Sequence, residues 1–514
     1  MSQIAALISS FVLRKYLHHN KVSATARHLF SAIVGIVLVY FCHGRHVFHI
    51  FAFPIISYII LVLTSPQIFQ RLILVIALGY LSFVHLMRQI YSYGSYVLDI
   101  TGPMMLITQK VTSLAFSLHD GLTKDDKSLT TDQKRYAIRR FPSPVEFFSF
   151  IYGFHVLMCG PVIFYTDYRD FIEGKHFLRA TSDTNGLNDV YENSKEPSAA
   201  SAVFKKTAAS ILFAVMLLNV TPIFFISWIT ESEFLLNTPF YKKILYILIS
   251  TSCVRFKYYH AWTLADAVCN ASGLGFNGYN KDGTPRWDAF SNVNVLKFES
   301  APSFKETLEN WNKSTMVWLR QVAYNRAPFQ KTLLTYCLSA IWHGFYPGYY
   351  VTFFGGALST LAARSVRRSV RPLFQKTEFW KRAYDVMTTV VTRLLISYLV
   401  FPFVILEFWS SIQVYKHLYF YGHIIMGFCI FILPYVLPPP PRSKLTITEK
   451  KSEHVSVGAS QQIPGLQEAL LESKNSILTS EISLEPRRHR SAIIDQTQGE
   501  SEKIEAGDNY TNNT

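Results

Sequence analysis

The sequence predicts an all-α, polytopic membrane protein, and three observations carry that expectation. Hydrophobic residues make up 49% of the 514-residue chain, and mean hydropathy is +0.17. Charged residues make up only 17%, against about 25% in ordinary soluble domains. Apolar runs recur from residue 29 to residue 437, and no polar linker of the kind that joins soluble domains occurs before residue 441. The expected division is a partly amphipathic N-terminal segment (1–28), a membrane domain (29–437) and a disordered tail (438–514) on the cytosolic side.

Charge is unevenly placed. The net charge is +15, yet the tail from Arg442 to Thr514 holds nine basic and eleven acidic residues, so the body carries +17. Basic residues beside apolar runs mark cytosolic loops facing anionic headgroups. They form no continuous stripe, so nucleic acid is not an expected partner. The six cysteines, Cys42, Cys159, Cys253, Cys269, Cys337 and Cys429, lie in or beside apolar segments and make no Cys-x-x-Cys pair. Neither a disulfide framework nor a metal site is expected.

In chain order, Ile4–Leu13 is apolar but shorter than the roughly 20 residues that cross a bilayer. Arg14, Lys15, Lys21 and Arg27 then read as a cytosolic loop. Spans are expected near Leu29–Cys42, Val47–Leu63 and Leu72–Met87, with Gly44 and Arg45 breaking the first two so that one is re-entrant. Tyr91–Gly121 carries Asp99, Gln109, Lys110, His119 and Asp120. Intramembrane polar groups need partners, so this segment is expected inside the protein rather than against lipid. Lys124–Arg140 is a charged cytosolic loop. Phe147–Tyr165 is apolar but interrupted by Gly160-Pro161, and Asp167–Val203 reads as a loop. Ala208–Trp228 is the cleanest span, followed by Phe240–Val254. The glycine-rich stretch Ser272–Phe304 lacks the Gly-Lys-Ser/Thr of a phosphate loop. Val351–Ala363 is apolar, Arg364, Arg367, Arg368 and Arg371 form a basic cluster, and Val386–Trp409 and Leu418–Leu437 are the last spans. The sum is about ten or eleven transmembrane or re-entrant segments.

The chemistry is expected between Trp311 and Tyr350. His343 ends an apolar segment there, and Asn312 opens a polar one. Imidazole is the side chain whose ordinary pKa lies near neutrality. It can take a proton from an alcohol as that alcohol attacks an acyl carbon, while an amide orients the substrate or donates to the oxyanion. The two residues are 31 positions apart, roughly 46 Å along one continuous helix. They can cooperate only if the polar run Tyr324–Pro328 turns the chain back. A structural role for the histidine is the competing reading. Asn312-Lys-Ser is also formally a glycosylation sequon, as are the sites at Asn219, Asn270, Asn509 and Asn512. His18-His19 does not complete a His-x4-Asp acyltransferase motif, because position 24 is Ala24.

At these residues the chain resembles the membrane-bound O-acyltransferase family. The motifs are Trp311-Asn312 with Thr315 and Trp318-Leu319, and Trp342-His343-Gly344 through Pro347-Gly348-Tyr349. Tyr258-Tyr259-His260-Ala-Trp262 through Asp266, Gly275-Phe-Asn-Gly278 with Arg286-Trp287-Asp288, and Thr101–Lys110 add to the resemblance, which runs from about residue 20 to 437. The short N-terminal segment departs from the family's pattern. The resemblance implies a helical bundle around an intramembrane tunnel, with His343 as catalytic histidine and Asn312 as its partner. Within the family the chain is most similar to the lysophospholipid branch that acts on lysophosphatidylserine and lysophosphatidylethanolamine.

The implied function is acyl-CoA-dependent re-acylation of lysophospholipids with an unsaturated acyl chain in the endoplasmic reticulum membrane, lysophosphatidylcholine being a further acceptor. Acyl-CoA is a co-substrate, and no bound cofactor or metal is implied. Tyr258, His260, Trp262, Asp266, Arg286, Trp311 and Trp342 are the candidates for substrate binding. Lys124–Arg140 and Arg364–Arg371 are candidates for drawing in the anionic CoA, or simply set topology. Acylation of a protein, peptide or neutral lipid stays open as an alternative, as does a polytopic transporter, which would predict internal repeats. Oligomeric state is not legible.

Overall fold

A charged residue can continue a membrane helix where it finds a partner, and this decides one boundary. The computed structural model describes residues 1–95, 99–177 and 196–440. These fall in one compact unit, Met1–Ala459, while the second unit, Ser460–Thr514, and the expected disordered tail from residue 441 onward lie outside the described residues. Among the described residues there is no strand, only an isolated antiparallel bridge between Tyr279 and Pro285.

The helices in order are α1 (Ser2–Lys15), α2 (Ala24–His43), α3 (Val47–Leu63), α4 (Phe69–Tyr91), α5 (Thr101–Thr123), α6 (Thr131–Tyr136), α7 (Pro144–Tyr152) and α8 (Tyr165–Ile172). The second half holds α9 (Ala200–Asn219), α10 (Ser232–Asn237), α11 (Phe240–Ser272), α12 (Val295–Glu299), α13 (Phe304–Glu309) and α14 (Lys313–Leu319). The last are α15 (Lys331–His343), α16 (Pro347–Ser369), α17 (Glu378–Ile405), α18 (Phe408–His417), α19 (Tyr421–Gly427) and α20 (Leu433–Val436).

Among the described residues four helical runs are long and apolar enough to cross a membrane: Ala24–Leu63, α4, α9 and α17. The run Phe408–Val436 makes a fifth if its two arms, bent by 82°, count as one broken span. The other segments counted from sequence are shorter or more polar helices packed among these. Gly44–His46 is a single 3₁₀ turn, so α2 and α3 form one 40-residue run rather than a span and a re-entrant loop. The span expected at Ala208–Trp228 begins at Ala200 and stops at Asn219, because Pro222 disfavours helix at the residue before it. Of its side chains only Ser210 is buried, where the helix packs along Phe240–Ser272, and the rest of its apolar surface is left outward.

Helix α11 runs through Arg255 and Lys257 to Ser272, 18 residues past the expected end, because Arg255 meets Glu299 at 2.8 Å. It ends at Gly273, whose φ of 93° is the usual left-handed stop. Phe147–Tyr165 is not one helix; α7 stops at Tyr152 and helix resumes at Tyr165. Leu418–Leu437 breaks at Tyr419 and Phe420, both with positive φ.

Helix α5 is the pillar of the body. Its side chains are buried on nearly every face, including Gln109, Lys110 and Asp120, as its polar content predicts. The Lys110 ammonium donates to the carbonyls of Phe150 (2.8 Å) and Ile151 (3.0 Å), capping the end of α7. Beside it α2 crosses α7 so closely that a Cβ on Gly35 would stand 1.7 Å from the Tyr152 carbonyl oxygen. Beside a small cluster of Ala199, Phe276 and Trp287, two large apolar clusters result among the described residues. One surrounds α5 and includes Trp318 and Trp342. The other joins α11 to α17 and has Trp311 at its margin.

Candidate active site

A polar ladder on α5 brings the two candidate catalytic segments together. Gln109 Nε2 donates to Thr315 Oγ1 (3.0 Å) and Trp318 Nε1 to Thr112 Oγ1 (2.9 Å). Gln321 Nε2 then donates to Ser117 Oγ (2.8 Å), and Arg326 forks onto Asp120 at 2.9 and 2.5 Å. As the chain advances from 315 to 326 it climbs α5 from 109 to 120. Residues 325–330 turn it back, with Gln330 at φ 43° as the cap of α15. On return, Trp342 Nε1 donates to the Met105 carbonyl at 3.0 Å. Met105 lies one turn before Gln109 on α5, so Thr315, three residues after Asn312, and Trp342, next to His343, contact neighbouring turns of the same helix. The Trp318 and Trp342 rings, 5.8 Å apart, close the hairpin. No direct hydrogen bond joins Asn312 to His343 among the described residues.

The orientation of each group is fixed by its neighbours. His343 is the last residue of α15, and its Nδ1 lies 2.7 Å from the Ser339 carbonyl one turn back. A carbonyl only accepts, so Nδ1 carries the proton and Nε2 keeps a lone pair. The rings of Trp342, Phe353 and Phe403, at 4.5, 4.8 and 5.3 Å, wall the imidazole. Gly344 then leaves the helix at φ 115° and ψ −163°, a conformation open to glycine. A Cβ there would meet the His85 ring at 3.0 Å, and His85 Nε2 itself donates to the Trp342 carbonyl at 3.0 Å.

Asn312 caps α14 in left-handed backbone, φ 46° and ψ 51°, which asparagine tolerates better than most residues. The turn is clamped by the buried Asn292. Its Nδ2 donates to Asn312 Oδ1 (3.0 Å), its Oδ1 accepts from Ser314 N (3.1 Å) and Ser314 Oγ (2.7 Å), and its carbonyl accepts from Lys313 N (2.9 Å). With Oδ1 occupied, the Asn312 amide turns its two N–H donors elsewhere.

The other sequence candidates fall into two groups. Trp311 packs on Tyr258 (5.6 Å) and Trp262 (4.9 Å), so these three form one aromatic cluster beside Asn312. Asp266 is buried, pairs with Lys206 at 2.6 Å and accepts from Ser291 at 2.5 Å, next to Asn292. It supports the clamp from behind. His260 faces α9, where its Nδ1 meets the Ser210 carbonyl at 3.0 Å. Arg286 folds onto the Asn277 carbonyl at 3.0 and 2.6 Å. These two are held in local contacts and are not brought to Asn312 or His343. Periodicity places His260 on the same helix as Tyr258 but does not reveal which face looks inward. Asn292 and His85 carry no motif that sequence reading could seize.

In the loops, Lys124 pairs with Asp120 (2.8 Å), Arg139 with Asp126 and Arg140 with Glu146 (2.5 Å). Among the described residues one group has the composition of a metal site, His18, His19 and Glu196. Its carboxylate already meets His18 Nε2 at 2.8 Å and Arg14 at 3.7 Å. Burial, and then the neighbouring His18, hold His19 below the ordinary imidazole value.

Residues 86–432 match the model of a family described as MBOAT, membrane-bound O-acyltransferase. The chain is 47% identical over 435 residues to "Lysophospholipid acyltransferase 6" of Drosophila melanogaster, covering 84% of this chain and 60% of that relative's length. It is 40% identical over 441 residues to "Membrane-bound glycerophospholipid O-acyltransferase 1" of Mus musculus, covering 86% and 89%. It is 33% identical over 433 residues to a "Lysophospholipid acyltransferase" of Schizosaccharomyces pombe, covering 82% of each.

Proposed function

As the chain belongs to the membrane-bound O-acyltransferase family, we propose that it transfers the acyl group of acyl-CoA to the free glycerol hydroxyl of a lysophospholipid. His343 Nε2 takes the hydroxyl proton as the oxygen attacks the thioester carbonyl. The Asn312 amide donates to the oxyanion that develops there. When the C–S bond breaks, the imidazolium returns its proton to the thiolate, leaving free CoA and a diacyl phospholipid. The thioester is already activated, so no covalent enzyme intermediate is needed.

The observation that carries this reading is the complementary orientation of the pair. Ser339 leaves His343 Nε2 as an acceptor, and Asn292 leaves Asn312 Nδ2 as a donor. A base and an oxyanion donor are what ester formation from a thioester requires. The names of the relatives point to lysophospholipid acceptors. We assign lysophosphatidylserine and lysophosphatidylethanolamine as preferred acceptors, lysophosphatidylcholine as a third, unsaturated acyl-CoA as donor, and the endoplasmic reticulum as the membrane, with the tail cytosolic.

The test is acyl transfer from labelled oleoyl-CoA by membranes containing the protein, offered a panel of lysolipids, monoacylglycerol and peptide acceptors. Label in diacyl phospholipid supports the reading, and the panel ranks the headgroups. Label confined to protein or neutral lipid overturns it.

A further inference from the structure

Arg393 is the sixteenth residue of the 28-residue helix α17, so it lies near the middle of a membrane-spanning helix. An ionisable residue at that depth is costly and marks a functional site unless its charge is answered. Here it is answered only in part. The Glu299 carboxylate is gripped by Arg255, with Nε on Oε1 at 2.8 Å and Nη2 on Oε2 at 2.9 Å, and it also accepts from Tyr259 Oη at 2.5 Å. Arg393 reaches the same carboxylate from the other side, Nη1 to Oε2 at 3.2 Å, and gives Nη2 to Thr307 Oγ1 at 2.8 Å. Two guanidinium groups therefore share one carboxylate, and among the described residues no second carboxylate pairs with either. The cluster carries one surplus positive charge. The Nε–H of Arg393 is buried and has no protein acceptor.

The surplus charge stands close to the proposed chemistry. Both guanidiniums lie over the Phe298 ring, at 5.5 and 4.8 Å, and Phe298 packs on Trp311 at 4.9 Å. Trp311 precedes Asn312, so two successive rings, Phe298 and Trp311, lie between the cluster and the candidate oxyanion donor. The cluster is not sealed, since the Glu299 side chain is 35% exposed.

Resting on the lysophospholipid reading above, we propose that Arg393, backed by Arg255, binds the phosphodiester of the acceptor lipid. A phosphodiester carries one negative charge and neutralises a cluster of +1. It offers two oxygens to a guanidinium whose Nε–H is unused. In a lysophospholipid two or three carbons separate the phosphate from the free glycerol hydroxyl, so its anion-binding group must lie on the side of the reacting site, and this cluster stands two rings from Asn312. The phosphates of CoA are the other source of the same chemistry, but they carry several charges.

The test uses the full-length protein purified in detergent, comparing wild type with Arg393→Gln and Arg393→Lys. KM is measured for lysophosphatidylethanolamine, for lysophosphatidylserine and for oleoyl-CoA. Thermal stabilisation by oleoyl-CoA serves as a check of the fold. Losing a charge-assisted hydrogen bond is expected to raise both lysolipid KM values roughly tenfold or more, with the KM for oleoyl-CoA unchanged and its stabilising effect retained. A rise in the KM for oleoyl-CoA alone assigns the cluster to CoA and overturns the proposal, as does a lysolipid KM that does not move. If Arg393→Gln does not accumulate, Arg393→Lys decides: it keeps the charge and loses the fork, and a lysolipid KM at the wild-type value overturns the proposal. Wild type that acylates no lysophospholipid defeats the parent reading as well, whereas active wild type with insensitive variants defeats this inference alone.

Discussion

Asn292 makes no chemistry of its own, yet changing it to aspartate should disable catalysis while sparing the fold. The side chain makes three hydrogen bonds, one donated to Asn312 Oδ1 and two accepted from Ser314. An aspartate keeps the two accepted bonds. It cannot donate to Asn312 Oδ1, and it sets a carboxylate oxygen against that oxygen. The Asn312 amide relieves the clash by turning over, so that its Nδ2 donates to Asp and its oxygen faces the reacting carbonyl. One preorganised donor is then lost and an acceptor stands in its place. Loss of one such donor costs about 10²–10³ in kcat. By contrast, Asn292→Ala removes all three bonds, a loss of about 3 kcal/mol at roughly 1 kcal/mol each, and frees a turn held in left-handed backbone. The assay is initial rate at saturating lysolipid and oleoyl-CoA with matched protein, together with thermal unfolding. Asn292→Asp should unfold near the wild-type temperature with kcat down at least a hundredfold, and Asn292→Ala should unfold well below it. An Asn292→Asp enzyme that is stable and within threefold of wild type would refute the assigned role of the Asn312 amide.

Further outcomes follow from other contacts. Gly344→Ala forces a side chain into φ 115° and against the His85 ring. It should cost about 1–3 kcal/mol in backbone strain alone and shift His343, read as lower kcat and lower unfolding temperature together. Asp120→Asn leaves Arg326 without its buried counter-ion and should destabilise by about 3–5 kcal/mol, measured by thermal unfolding in detergent. Gly35→Ala drives a methyl into the Tyr152 carbonyl and should cost about 3 kcal/mol or more, read as loss of folded protein on size exclusion.

The membrane class was legible in the composition, and a compact run of motif residues marks Asn312 and His343 as the candidate pair. The burial of α5 was legible too, since Gln109, Lys110 and Asp120 could not face lipid. Its register was not: which polar group on α5 meets which residue between 315 and 342 depends on helix phase, and the sequence gives only polarity. Helix ends were misjudged where a distant partner decides them. Arg255 reads as a terminator until Glu299, 44 residues later, is seen to meet it. The break at Tyr419–Phe420 rests on two aromatic residues with positive φ, which no turn composition announces. Asn292 stayed hidden because a lone amide in a polar loop looks like any other.

The central claim is that His343 is the base, and one comparison tests it most directly. Wild type and His343→Ala, at matched levels in the same membranes, are given labelled oleoyl-CoA and lysophosphatidylethanolamine. General-base loss predicts a fall in acyl transfer of roughly 10²–10⁴, with the variant still accumulating as folded protein. Transfer by His343→Ala within twofold of wild type would contradict it, leaving His343 a structural residue of α15 and the acyl chemistry to some other group.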